Sequence, residues 1–450
     1  MSSELMTMHL RDSLYFRRPS KNSDDDNKYI WQTIPWGDWR GSVKFPELSK
    51  AEFVALLASL TMVEALSGDI MLPALPDIGA AFAVANPNDR SLVLMAFGLA
   101  FGLAQPVFGP LSDRYGRRLP ILGGMLAYIA CSLASVIAPS FEVLLAIRLV
   151  QGVAAAAVKV AVTATVRDRY EGAEMAEVTS LMSSIFLLVP VVMPSVGQVL
   201  LLVGTWPLIF YAMAGIALVI GAWAFFRLGN TLRPENRRPL TFTGIAEGFA
   251  LVFSNRRAFF YGITNMFLLG AVLGMVFTSQ QIYVELYGWG VWYPLAMLAM
   301  GGTASLYSLV ASQVLGRIGL RRSAHGGMLL LPLLTFTGAA VALAGGLPGW
   351  GYLLVCCLCA IPLIAGFASG GALSMQPLGA VAATAASVFG LLAQVFGTAF
   401  SYVIAQAYDG SPVPTLVGMG IMGICGLGCC LVAENGRLFG RDDAMVAVPA

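Results

Sequence analysis

The sequence predicts an all-α membrane protein with twelve transmembrane helices in two six-helix bundles. Three observations predict it. Of 450 residues, 57% are hydrophobic and only 12% charged, with a mean hydropathy of +0.75, whereas a soluble domain carries about 25% charged residues. Residues 326–408 form a run of 83, and residues 178–226 a run of 49, without one Asp, Glu, Lys or Arg. The longest polar interruption between apolar segments, residues 227–257, divides them six and six. A helix needs about 20 apolar residues to cross a bilayer, and only helices or closed barrels satisfy their backbone polar groups in lipid. These runs are continuous, not the ten-residue alternating segments of a barrel.

The elements follow in order. Residues 1–52 are polar, include Asp24, Asp25 and Asp26, and read as a mostly disordered cytoplasmic tail. Trp31, Trp36 and Trp39 suit the headgroup level, and no cleavable signal peptide is expected. Spans are expected at 53–76, 91–110, 119–138, 143–166, 178–203, 205–226, 258–284, 288–316, 326–347, 350–373, 377–408 and 413–433. Pro139, Pro348-Gly349, Pro377, Gly410 and Pro412 supply the breaks between neighbours. The domains are then an N-terminal bundle at 53–228, a cytoplasmic central loop at 229–256, a C-terminal bundle at 257–434 and a cytoplasmic tail at 435–450.

Orientation comes from the basic residues. Of 27 Lys and Arg, 24 fall on one face: before span 1, between spans 2 and 3, after span 4, in the central loop, between spans 8 and 9, and after span 12. Arg90 alone lies on the other face. Both termini are therefore expected in the cytoplasm, and the protein in the bacterial inner membrane. The seven cysteines all fall inside expected spans and read as small apolar residues, not as a disulfide or metal framework. The net charge of +2 suggests no nucleic-acid partner. No phosphate-binding GxxxxGK[ST], HExxH or nucleophile elbow occurs, and His9 and His325 lie outside the spans. Neither an enzyme nor a cofactor is expected.

Charged groups inside spans are functional candidates, because each costs about 2.5–3.5 kcal/mol at mid-bilayer. Four stand out: Glu64 and Asp69 in span 1, Arg148 and Lys159 in span 4. Asp69 reads as the main proton-coupling carboxylate with a span-4 cation as its partner, because burial and a nearby cation move a carboxyl group's proton affinity in opposite directions. Arg148 and Lys159, 11 residues apart, share one helix face. Glu64 reads equally as a second cavity carboxylate or a helix-joining group, and Lys159 as a substrate contact or a snorkelling cation. Gln151, Gln281, Gln313 and Gln394 are candidates for lining the pathway. Glu285 reads as an interface residue at the outer end of span 7.

The turn GPLSDRYGRRLPIL (109–122) resembles the signature between helices 2 and 3 of the major facilitator superfamily, at Gly109, Leu111, Asp113, Arg114, Gly116, Arg117 and Arg118. Gly109 allows close helix approach, and Asp113 accepts from Arg117 or opposes a helix N-terminus. The resemblance implies a latch that holds the cytoplasmic side shut in the outward-facing state. A weaker echo, VLGRIGLRR (314–322), follows span 8. RLVQGVAAAA (148–157) resembles the family's fourth-helix motif, which implies that Arg148 aids proton exchange at Asp69. DIMLPALPDIGAAF (69–82) and SMQPLGAVAATAASVFG (374–390) resemble drug:proton antiporters of the bicyclomycin-resistance (Bcr/CflA) group. Span 5 departs from the antiporter pattern: it reads VPVVMPSVGQ (189–198), with Met193-Pro194 where Gly-Pro is usual. The resemblance implies a proton-coupled exporter of small amphipathic compounds working by alternating access, with a dedicated metabolite exporter or proton symporter as the alternative. The expected partners are a small-molecule substrate, protons and the lipid bilayer. A monomer is expected by analogy of fold.

Overall fold

The computed structural model describes residues 48–440 apart from residue 230, residues 233–249 and residues 251 and 291. The expectations for residues 1–47, including Trp31, Trp36 and Trp39, for most of the central loop and for residues 441–450 lie outside the described residues. The described chain is helical throughout its ordered elements: α1 Lys50–Asp69, α2 Leu92–Tyr115, α3 Arg118–Val136, α4 Phe141–Arg169, α5 Gly172–Val203, α6 Pro207–Arg227, α7 Arg256–Gln280, α8 Tyr293–Ile318, α9 Leu320–Gly345, α10 Gly349–Met375, α11 Ala382–Gln406 and α12 Val413–Ala433. Among the described residues eleven helices are long and apolar enough to cross a membrane. The twelfth is α5, which carries no charge over residues 178–203.

Two expected spans are interrupted, and proline explains both. Pro73 has no N–H for the Asp69 carbonyl, and Pro76 none for the Leu72 carbonyl. The first helix therefore stops at Asp69, passes through a 3-10 turn at Leu72–Ala74 and resumes at Leu75–Ala81. Expected span 377–408 begins instead as a 3-10 segment, Gln376–Val381, with Leu378 non-helical at φ −112° and ψ 21°. Pro377 has no N–H for the Leu373 carbonyl, and α11 starts only at Ala382. Helix α7 ends in a π-helical turn, Gln281–Leu286, a feature frequent at functional sites.

The helices pack as two repeats of one pattern. In the first half α1 lies on α4, α5 and α6, α2 on α4, and α3 on α4 and α6. Six helices later α7 lies on α10, α11 and α12, α8 on α10, and α9 on α10 and α12. The halves meet where α2 packs on α11 and α5 on α8. Smaller features repeat with the fold. Gly116 and Gly319 end α2 and α8 with the same φ of 88°, a left-handed geometry that glycine alone adopts freely. Glu52 at the start of α1 receives two 2.7 Å bonds from Arg227 at the end of α6. Arg257 at the start of α7 holds Glu434 just past α12 at 3.0 Å, the same pair with its charges exchanged.

Small residues let these helices approach, as is general in lipid, where apolar tails give helices no hydrophobic reason to associate. A Cβ on Gly152 of α4 would collide with the Phe97 carbonyl and sit 3.0 Å from the Phe101 nitrogen of α2. A Cβ on Gly98 would lie 2.8 Å from Thr398 Oγ1 across the two halves. Gly152→Val is therefore expected to destabilise the first half by more than the roughly 1–3 kcal/mol of ordinary overpacking, because backbone must move. Gly215→Val, where a Cβ meets nothing within 4 Å among the described residues, should leave thermal stability in detergent near wild type.

Candidate functional site

The site is built around the break in α1. Stopping a helix frees its last carbonyls. Ile70 N–H takes the Leu66 carbonyl and Met71 N–H turns back to the Gly68 carbonyl. The Ser67 carbonyl is taken by Arg148 Nη2 of α4 at 2.8 Å. The same guanidinium donates to the Val93 carbonyl of α2 at 3.2 Å and to Gln151 Oε1 at 2.6 Å, and lies 4.7 Å from the centre of the Phe97 ring. Gln151 Nε2 donates to Ser132 Oγ of α3 at 2.8 Å, and Tyr128 of α3 bonds Ser67 Oγ at 2.5 Å. Arg148 is fully buried. Its charge is met by carbonyl dipoles, an amide, an aromatic face and the negative end of α1.

Asp69 is the last residue of α1, one turn from that cap. It forms no hydrogen bond or ion pair among the described residues. The expected pair of Asp69 with a span-4 cation is not made: Arg148 spends its donors on carbonyls and Gln151, and Lys159 Nζ bonds Glu64 Oε2 at 2.9 Å. Lys159 also lies 4.8 Å from the centre of the Phe186 ring of α5. Of the eleven spans, α1 is the most enclosed by protein. No residue from 53 to 76 is exposed, yet Glu64, Gly68 and Asp69 are part-exposed. Among the described residues nothing lies within 4 Å of a Cβ on Gly68. Glu64, Gly68 and Asp69 therefore border open space between helices.

The glutamines separate by role. Gln151 belongs to the Arg148 network. Gln281 Nε2 bonds Asn88 Oδ1 at 2.8 Å, at the far end of the bundle from the α2–α3 turn. Gln394 packs its stem against Gly102 and its amide nitrogen against Gly98 where α2 meets α11, and Gln313 is exposed on α8. Only tertiary structure brings the Gln281 neighbourhood together. Asn88 Nδ2 donates to the carbonyls of Gln406 and Tyr408 at 3.1 and 2.9 Å, Gln406 Nε2 donates to Asp89 at 2.8 Å, and Arg90 pairs with Glu285 at 2.7 Å. The α1–α2 connection is thus sealed against α7 and α11 of the other half. In sequence these residues are isolated polar positions in one loop or near the ends of apolar spans; the loop's only signal is density, Asn86 to Arg90 being polar apart from Pro87.

The opposite end differs. Arg117 donates to Asp113 at 2.5 Å, to Ser112 at 3.0 Å and to both oxygens of Asp168 at 2.8 and 3.1 Å. Burial alone would lower the Arg117 pKa, but the Asp168 and Asp113 carboxylates outweigh it and raise it. Arg118 bonds the Phe225 carbonyl at 2.7 Å, and Arg114 lies 5.3 Å from the Tyr115 ring centre. These contacts join α2, α3, α4 and α6 within the first half. The expected close approach at Gly109 is not made among the described residues, since a Cβ there would meet nothing within 4 Å. Asp168, unnoticed in the sequence, is the second carboxylate of the cluster.

Two six-helix halves, related as a repeat and sealed against each other at one end, are the arrangement of a facilitator-type membrane transporter. The chain belongs to the Major Facilitator Superfamily, whose profile matches residues 57–405. It is 30% identical over 237 residues to a bicyclomycin resistance protein homolog of Haemophilus influenzae, covering 52% of this chain and 59% of that protein's length. It is 26% identical over 374 residues to the multidrug resistance protein MdtL of Salmonella heidelberg, covering 81% and 89%. The human organic anion transporter MFSD10 (TETRAN) shares the fold, with a TM-score of 0.60 at 18% identity over 86% of this chain and all of that one. The resemblance to the bicyclomycin-resistance type of drug:proton antiporter, drawn above from 69–82 and 374–390, agrees with these relatives.

Two outcomes test the site. Gln151→Leu should cost about 1–3 kcal/mol by stranding Arg148 Nη1, whereas Gln151→Glu, which keeps an acceptor for that nitrogen, should cost less, as read by thermal unfolding. A short thiol crosslinker joining Asn88→Cys to Gln406→Cys should stop transport reversibly if the seal has to open.

Proposed function

We propose that the protein is a proton-coupled exporter of small amphipathic compounds, working by alternating access between its two halves. The observation that carries this reading is Asp69: a carboxylate with no described partner, at a helix break in the most enclosed span, bordering open space. A carboxylate at the C-terminal end of a helix gains nothing from the helix dipole, so its position needs a reason other than stability. Proton exchange supplies one: the group binds a proton where it is sheltered and releases it where water or a cation reaches it. Arg148 holds the break rigid, and so fixes where Asp69 sits. Glu64, already paired with Lys159, is left to substrate.

The seal at the Asn88–Gln406 end, together with the absence of a described neighbour at Gly109, supports a state closed on one side. With the basic residues inside, that side faces out, both termini lie in the cytoplasm, and the protein resides in the bacterial inner membrane as a monomer. Relatives named for resistance to bicyclomycin and chloramphenicol support export of foreign compounds. The departure at Met193-Pro194 favours a second reading, a carrier dedicated to one metabolite on the same fold.

Proteoliposomes loaded with a pH dye and offered a panel of cationic, zwitterionic and neutral drugs test the proposal. Drug-dependent proton movement is expected in wild type, with a loss of at least about tenfold in Asp69→Asn. Full coupling in Asp69→Asn would remove Asp69 from the mechanism. Proton movement with a single compound only would favour the dedicated carrier.

A further inference from the structure

The Glu64–Lys159 pair has no part in proton exchange as read above, and neither residue is needed to cap α1. We propose that Glu64, Lys159 and Phe186 form a binding subsite for net-neutral zwitterions that carry a flat apolar body. The inference deepens the exporter reading and rests on it for the fate of the ligand, though not for its binding.

Three observations carry it. The pair joins α1 to α4 at 2.9 Å, yet it is not sealed by packing: 31% of the Lys159 side chain and 19% of the Glu64 side chain remain accessible. Open space adjoins it, because Gly68 lies four residues after Glu64, on the same helix face, and a Cβ there would meet nothing described within 4 Å. An aromatic wall stands beside it, the Phe186 ring centre 4.8 Å from Lys159 Nζ.

Charge balance then selects the ligand. A closed ion pair in a poorly solvated site is neutral. A monocation that takes Glu64 strands the Lys159 ammonium, and a monoanion that takes Lys159 strands the Glu64 carboxylate. A stranded charge in such a place is unfavourable. A zwitterion inserts one charge of each sign. Its carboxylate accepts from Lys159, its ammonium donates to Glu64, and four alternating charges stay neutral overall. The Phe186 face receives the apolar body of the ligand. Asp69, five residues on, stays outside this exchange and remains available to a proton, so cargo charge and coupling charge occupy different carboxylates.

The test uses the purified full-length protein in detergent micelles and three matched probes: 4-(aminomethyl)benzoic acid, its methyl ester, a monocation, and its N-acetyl derivative, a monoanion. Calorimetry should rank the zwitterion at least about tenfold tighter than either singly charged probe. Lys159→Met should shift the preference to the ester, and Glu64→Gln to the N-acetyl acid. Gly68→Leu should weaken all three while keeping thermal stability. Equal affinities in wild type, or an unchanged ranking in Lys159→Met, would overturn the subsite. If either single variant fails to fold, the exchange Glu64→Lys with Lys159→Glu keeps the pair, and loss of zwitterion preference in that folded double variant would overturn it as well. The exporter reading fails separately: a zwitterion ranking without drug-dependent proton flux leaves the subsite and removes the coupling, whereas flux without the ranking does the reverse.

Discussion

A backbone carbonyl inside a membrane has no water to turn to, and much of this structure follows from where one such group is satisfied. Pro73 ends α1 at Asp69, and the Ser67 carbonyl loses its partner in the helix. Arg148 reaches from α4 to supply it. Because a guanidinium presents five donors in a fixed fork, the same side chain also holds the Val93 carbonyl of α2 and, through Gln151, Ser132 of α3. One cation thus fixes four helices of the first half. Burying it is tolerable only because every described acceptor around it is a dipole already in place. Asp69 inherits its position from this arrangement.

The two halves share a backbone plan but not a chemistry. Gly116 and Gly319 turn the chain identically after α2 and α8. In the first turn the positions three before and one after that glycine are Asp113 and Arg117, which pair with each other and with Asp168. The equivalent positions of the second turn are Gly316 and Leu320, and no such pair can form. The intramembrane charges likewise lie only in the first half. One half holds the ionic machinery and the other offers surfaces for it to close against, as at Arg90 with Glu285 and Asn88 with Gln406 and Tyr408.

How much was legible in the sequence depended on the range of the interaction. Twelve spans, their grouping into two six-helix halves and the repeated turn could be read, because hydropathy and turn chemistry are local. Asp69, Glu64, Arg148 and Lys159 could be found one by one, because a charge in an apolar run is conspicuous wherever its partner lies. Their pairing could not. Helical spacing shows which residues share a face of α4, but which carboxylate of α1 that face meets depends on the rotation and height of α1, and these follow from its break and from the close contact of Gly197 with the Ile70 carbonyl. Hence Lys159 meets Glu64, and Asp69 stands apart.

The seal shows the same limit. Asn86 to Arg90 looks like any polar loop, and Gln406 and Tyr408 lie more than 300 residues away in sequence. By itself the sequence determined that the chain spans the membrane, how many times, and which rare polar residues lipid would not tolerate without cause, since the bilayer imposes the same requirement on every segment. Tertiary structure alone decided which of those residues meet and which end is shut, because short-range bonds of about 3 Å depend on the relative placement of whole helices.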